Sequence, residues 1–335
     1  MSLFAVITTI QEPTDDVREM HRRLMEHGGR LVVAGDKKGP ASWNLPDCDF
    51  LSLDDQLRSG FSLADSLPTG HYARKNIGYL SAIHAGADCI YETDDDNAPL
   101  PSWGPRSENM SNVRKLSAKD SSRWVNVYHC FSNDGKIWPR GLPLTELNSS
   151  SAFDLRVSTS DLQAPIQQGL ANGSPDVDAV WRLTQDRPVE FDPNDSVWLG
   201  SGQWSPFNTQ STWWFPAAYP LLYVPSFCSF RMCDIWKSFV AQRCLWAMGL
   251  GVVFHAPEVF QKRNEHNLMK DFEEEVPGYL NNARIAEVLD ALSLRGAPAA
   301  DLRTCYAALI DEGVLPKEEL KLVNCWLTDL EEIHA

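Results

Sequence analysis

The sequence predicts an α/β fold built on a mostly parallel sheet, and three observations predict it. Short β-branched runs recur along the first third of the chain. The segments between them carry helix start and stop signals, at the spacing of βαβ units. Each early strand candidate then opens into a polar loop. Residues 3–10 (LFAVITTI) form the first run, closed by Gln-Glu-Pro. Thr14-Asp15-Asp16 starts a helix with acids in its first turn, and Gly28-Gly29 stops it near His27. Residues 30–34 are a second strand, followed by a turn at 35–40, and residues 50–53 are a third. Residues 72–85 read as a helix with Ile77, Leu80 and Ile83 on one face and Gly86 at its end. Residues 88–92 then lead into Asp94-Asp95-Asp96. In such sheets ligands bind outside the carboxyl ends of the strands, so the loops 8–13, 35–40 and 94–99 should meet in space.

The middle of the chain is less sharply patterned. Residues 125–131 are expected as a strand, 148–163 as a Ser-rich loop or excursion, and 178–183 as another strand. A strong helix pattern at 234–248 precedes a strand at 249–254. From about residue 285, amphipathic segments such as 285–294 and 302–310 predict a C-terminal helical extension. The expected division is a main domain over 1–275, its halves meeting near 145/146, and a helical cap over 276–335. No internal repeat or long linker breaks the chain.

Composition narrows the function classes. The 335 residues are 43% apolar and carry a net charge of −15. A general nucleic-acid binder needs a basic surface, which this balance argues against. No run approaches the roughly 20 apolar residues that span a bilayer. The N-terminus runs straight into a strand pattern without the marks of a signal peptide, so the expectation is a soluble, cytoplasmic protein. None of the eight cysteines forms a C-x-x-C pair, which argues against zinc and for buried free thiols. Acidic runs such as 271–275 read as solvated surface. Several of the twelve tryptophans fall between Trp181 and Trp246, as the wall of an aromatic cleft or as ordinary core.

Three consecutive aspartates after an apolar strand are the strongest chemical signal. In an extended segment Asp94 and Asp96 share a face while Asp95 points away. Hard carboxylate oxygens suit Mn²⁺ or Mg²⁺, ions held by one or two carboxylates together with substrate phosphates. Arg74 and Lys75 sit in the first turn of a helix, where cations oppose the macrodipole, so an anionic partner is expected for them: the aspartates or a phosphate. Asp36, in the turn after the second strand, either accepts hydrogen bonds from a ribose or base or serves the turn itself. Arg140, fixed in Trp138-Pro139-Arg140-Gly141-Leu142-Pro143, is a candidate phosphate or carboxylate clamp. Asp234, in Phe230-Arg231-Met232-Cys233-Asp234, is either a helix N-cap or a general base for an acceptor hydroxyl. His266, or alternatively His255, is a candidate late metal ligand.

These motifs, in this order, resemble the plant STELLO-type glycosyltransferases. The resemblance rests on 74–79 (RKNIGY) running through 93–97 (TDDDN), 138–144 (WPRGLPL), 206–214 (PFNTQSTWW), 234–243 (DIWKSFVAQR) and 252–282. A more distant likeness is to the reversibly glycosylated polypeptides, the UDP-arabinopyranose mutases, which share the triple aspartate and an Arg-Gly-x-Pro motif like 140–143. Both resemblances imply a GT-A fold, with a Rossmann-like nucleotide-sugar domain and a D-x-D metal motif matched by Asp94 and Asp96. Asp36 then matches the nucleoside-contacting position, and Asp234 an acid of the acceptor-side helix. The resemblance implies a metal-dependent glycosyltransferase with a UDP-sugar donor and a glycan acceptor, in polysaccharide biosynthesis. Thr8, Asp36, Arg74, Lys75, Asp94, Asp95 and Arg140 would bind the donor, Asp234 and Arg140 would serve catalysis, and Trp204, Trp213, Trp214 and Arg231 the acceptor. Two rivals are a sugar-nucleotide mutase, with Arg140 or a neighbour holding the sugar, and a non-catalytic scaffold of a polysaccharide synthase. A homo-oligomer is compatible with all three. The plant proteins carry an N-terminal membrane-anchor segment that has no counterpart in this sequence, so a role in organising a membrane synthase transfers poorly.

Overall fold

A computed structural model describes residues 1–118, 123–157, 161–262 and 267–334. The first strand, β1 (Leu3–Thr9), is buried along almost its whole length, and α1 (Asp15–Glu26) follows with Thr14 as its N-cap. The Thr14 hydroxyl accepts from Val17 N at 3.1 Å and donates to the Asp95 carbonyl at 2.7 Å. One short side chain thereby starts a helix and holds the aspartate loop. β2 (Arg30–Gly35) and β3 (Cys48–Leu51) continue the parallel pattern, and the short helices α2 (Leu53–Arg58) and α3 (Ser62–Ser66) lead to a 3₁₀ turn at Tyr72–Arg74. α4 (Lys75–His84) then feeds β4 (Cys89–Thr93).

Asp94 to Asp96 form a turn between β4 and β5 (Asn97–Pro99), so the alternate-face argument for an extended segment does not apply to them. Next come β6 (Asn109–Met110), β7 (Arg114–Ala118), β8 (Phe153–Val157), β9 (Leu162–Gln163) and β10 (Ile166–Gly173). Two expected strands are helical instead. Residues 127–130 are a 3₁₀ turn capped by Asn126, and residues 179–184 form α5 (Ala179–Thr184) with Asp178 as N-cap. Both runs are too short for period alone to separate strand from helix, and the polar cap decides in each case. β11 (Val197–Leu199), β12 (Ser211–Trp214), α6 (Cys233–Ala247), β13 (Val252–Gln261), α7 (Leu268–Asp290), α8 (Pro298–Asp311) and α9 (Glu318–His334) complete the chain.

One mixed sheet runs through both halves in the order β3-β2-β1-β4-β12-β10-β13-β11-β7-β8, with β5 on β13. β3, β2, β1 and β4 are parallel, the Rossmann-like half. β12 then pairs antiparallel with both β4 and β10, stitching the halves together. This is the α/β arrangement with helices at the C-terminus that the sequence predicts. The expected cap boundary at 276 falls inside α7. Leu322, Val323 and Trp326 of α9 share a buried cluster with Ile77 and Leu80 of α4. No helix among the described residues is long and apolar enough to cross a membrane.

Candidate functional site

The carboxyl ends of β1, β2, β4 and β10 and the start of α6 border a cavity of about 430 Å³. The three loops expected to meet do meet there, through Thr8 to Gln11, Asp36 with Lys38, and Asp94 to Asp96. Seven aspartates line the cavity (36, 94, 95, 96, 176, 234 and 271), against Lys38, Arg140, Arg182 and Arg231.

The aspartate turn is held from several sides. Asp94 Oδ1 accepts from Tyr72 Oη at 2.5 Å and from Lys75 Nζ at 3.0 Å. Lys75 is fully buried and also donates to Tyr72 Oη and the Thr93 carbonyl, so its expected anionic partner is the aspartate turn. Asp95 accepts from Thr9 Oγ1, and Asp96 from Gln261 Nε2 at 2.9 Å. Burial and the neighbouring Asp94 push Asp96 up to about 7. Burial also raises Asp95, against the pull of its Thr9 hydrogen bond. Crowding carboxylates with little water penalises their charge, and a cation relieves that penalty. Among the described residues no three His, Cys, Asp or Glu side chains form a metal cage. An all-oxygen pair that relies on substrate phosphates to complete the shell fits Mg²⁺ or Mn²⁺ nonetheless.

Asp36 accepts from Gly70 N at 2.8 Å and Lys37 N at 2.7 Å through Oδ1, and from His71 N at 2.9 Å through Oδ2. The turn reading of this residue therefore holds, and Asp36 also lines the cavity. Thr8 also lines the cavity, with its hydroxyl donated to the Ala34 carbonyl.

Arg140 is the most heavily engaged side chain of the site. Nε and Nη2 donate to Asp176 at 2.7 and 2.8 Å, Nη1 and Nη2 donate to Asp234 at 2.9 and 2.8 Å, and Nη1 also donates to the Arg231 carbonyl. A guanidinium has five N–H donors, and all five are spent. Arg140 thus clamps two carboxylates of the protein itself and has no donor left for a phosphate, which corrects the phosphate alternative and its expected place in donor binding. The flanking carboxylates hold it well above the ordinary arginine range despite its burial, and Arg140 lowers Asp176 in return. Gly141, at φ 96°, permits the approach: a Cβ there would lie 2.5 Å from Ile235 Cγ2. Asp234 is no side-chain N-cap, since it lies inside α6 with both oxygens on Arg140.

Several expected residues lie elsewhere. Arg74 is buried outside the cavity, donating to Gln56 Oε1 and the Ala64 and Leu67 carbonyls, so it braces α2 and α3. Trp204, Trp213 and Trp214 are fully buried and donate to Asp290, Glu258 and Glu92, so they are core and not sugar platforms. His255 is buried between Ser196 Oγ at 2.6 Å and Gln167 Oε1 at 2.9 Å, and burial drives it well below the usual histidine range. It is not placed to ligate a metal in the cavity. His266 lies outside the described residues. Arg231 does line the cavity, anchored on Glu275 Oε1 at 2.8 Å.

Sequence reasoning missed Asp176, His71, Tyr72, Thr209 and Phe230, all of which line the cavity. Asp176 sits in Ser174-Pro175-Asp176, which reads as turn chemistry, and only the strand end before it signals a site. Phe230 precedes the α6 acid and is 52% exposed at the cavity.

Comparison with known proteins agrees with the resemblance seen in the motifs. A family model described as STELLO glycosyltransferases matches residues 231–335. Two proteins of Arabidopsis thaliana, probable glycosyltransferase STELLO1 and probable glycosyltransferase STELLO2, are each 27% identical to this chain over 97% of its length. The matches cover 44% of either protein, so the chain spans less than half the length of these relatives. Among solved structures, glucosyl-3-phosphoglycerate synthase from Mycobacterium tuberculosis aligns with 84% of this chain and 79% of its own, at TM-score 0.40 and 9% identity.

Proposed function

We propose that this protein is a metal-dependent glycosyltransferase that moves a sugar from a UDP-linked donor to a hydroxyl of a glycan, in polysaccharide biosynthesis in the cytoplasm. The observation that carries the reading is the aspartate turn, set at the ends of parallel strands in a cavity where carboxylates outnumber cations. A metal ion at the turn would offset the repulsion between these carboxylates and an anionic diphosphate. Asp94 and Asp96 would hold Mn²⁺ or Mg²⁺. When bound, the metal neutralises charge building on the departing diphosphate. Lys75 and Tyr72 keep Asp94 oriented, which limits reorganisation when the donor arrives. Asp36 and Thr8 border the end assigned to the nucleoside, and Asp176, Asp234 and Arg231 the end assigned to the transferred sugar and acceptor. If the transfer inverts, Asp234 or Asp176 is the candidate base, and it must part from Arg140 to take a proton. If it retains, neither need do so. The full engagement of Arg140 argues against its acting as a transient sugar carrier, as the mutase alternative requires. The main domain of 1–275 and helical extension of 276–335 remain our division of labour between site and support.

Calorimetry with UDP, with and without Mn²⁺, tests the reading. The wild type should bind in a Mn²⁺-dependent manner. D94A and D96A should lose that binding, by about a hundredfold or more, while keeping a cooperative thermal transition. Unchanged UDP affinity in both variants would sink the metal assignment.

A further inference from the structure

His71 is absent from the motifs that suggested the site, yet it stands between two of its landmarks. Its backbone N–H is held by Asp36, and the next side chain, Tyr72, reaches Asp94. The ring is fixed by two independent contacts. Ala73 N–H donates to His71 Nδ1 at 3.0 Å, which makes the side chain the N-cap of the 3₁₀ turn before α4. Phe230, from the opposite wall of the cavity, packs on the imidazole edge-to-face, with ring centroids 6.3 Å apart at 70°.

The first contact decides the tautomer. A nitrogen that accepts a backbone N–H carries no proton, so the ring is neutral and its proton sits on Nε2. Burial lowers the His71 pKa, against the pull of Asp36, which keeps the ring neutral near pH 7. Nε2 has no protein partner among the described residues, on a side chain that lines the cavity. A capping histidine satisfies the helix with one nitrogen only. Asn, Asp or Ser would do that as well, so capping leaves the second nitrogen unexplained.

We propose that His71 is a donor-substrate binding residue whose Nε2–H donates to an oxygen of the ribose–phosphate portion of a nucleoside diphosphate, between the nucleoside end marked by Asp36 and the metal end marked by Asp94. The proposal rests on the glycosyltransferase reading of the site. Phe230 serves it by holding the ring plane.

Asparagine separates the two roles of the histidine. H71N keeps a short side-chain oxygen for Ala73 N–H and removes the distal donor. H71Q carries an amide nitrogen that reaches about as far as Nε2. Calorimetry in Mn²⁺ is run on the wild type, H71N and H71Q with UDP and with uridine, alongside thermal unfolding of each. We expect H71N to unfold at the wild-type temperature but bind UDP about tenfold more weakly, the worth of one hydrogen bond to an anionic ligand. H71Q should recover part of that loss. Weakening confined to UDP puts the bond on a phosphate, and weakening of uridine as well puts it on the ribose. If H71N unfolds early, H71Q carries the test: an H71Q that unfolds at the wild-type temperature yet binds UDP about tenfold more weakly overturns the proposal. UDP affinity in H71N equal to that of the wild type also overturns it while leaving the glycosyltransferase reading intact. A wild type that binds no UDP overturns both.

Discussion

Arg140 and its two carboxylates set the behaviour of the site at the scale of single residues. The three side chains are buried together, and each charge there is tolerated only because the others are present. R140A should therefore cost about 3–5 kcal/mol, because it leaves two buried carboxylates uncompensated. R140K keeps the charge without the five-donor fork and should recover only part of that. Urea unfolding of both variants measures it, and an R140A as stable as the wild type would contradict the geometry. Asp178 offers a pH signature nearby. It is fully buried, caps α5 by accepting from Trp181 N at 2.8 Å, accepts from Trp138 Nε1 at 2.7 Å, and is pushed up to about 7 mainly by burial. A carboxyl raised in the folded state contributes stability that is fully present below its unfolded value near 3.8 and lost as pH rises through about 7. D178N cannot titrate. The difference in stability between pH 6 and pH 8 should shrink in D178N relative to the wild type, whatever its absolute level, and denaturant titrations at the two pH values show it. These residue roles were only partly legible. Asp94 and Asp96 announce themselves by charge repetition, whereas the fate of Arg140 depends on Asp176, which lies thirty-six positions away, just past the end of β10.

Elements whose apolar period agreed with their caps were the legible ones. β1, α1, β2, α4 and α6 fall within a few residues of the boundaries expected from strand runs, Thr14 and the glycine stops. The misread segments, 125–131 and 178–183, are short apolar runs whose identity is settled by an Asn or Asp capping from one side. The tryptophans of β12 were misread for a related reason. Trp213 and Trp214 point to opposite faces of a strand covered on both sides, so both are core, and period-2 alternation in a covered strand carries no sign of solvent. The C-terminal helices also do more than their amphipathic pattern suggests. Phe61, at the N-cap position of α3, offers no side-chain cap, and Asp329 of α9 supplies one, accepting from Ser62 N at 2.8 Å and Leu63 N at 2.9 Å. D329A should destabilise the fold by about 1–2 kcal/mol, with D329N nearer the wild type. Chemical denaturation compares them, and a silent D329A would mean that the end of α3 is capped otherwise.

At the scale of the molecule, the sequence separates a nucleotide half from an acceptor half, and the structure joins them by a continuous ladder. β12 hydrogen-bonds to β4 on one side and to β10 on the other, and β4 and β10 each end at the cavity. Glu319 of α9 tightens the same frame by accepting from Tyr223 Oη at 2.5 Å and Phe227 N at 2.8 Å, just before the segment that opens α6. Long-range pairing of this kind is invisible to periodicity, and β4 and β12 pair across more than a hundred positions. It also constrains how a ligand could enter the cavity. Two lobes on a flexible joint could swallow a substrate by clamshell rotation, but walls rooted in one pleated ladder cannot swing apart without tearing it. A ligand must then fit between walls whose spacing is already set, with Phe230 packed on His71 and Tyr72 across the cavity.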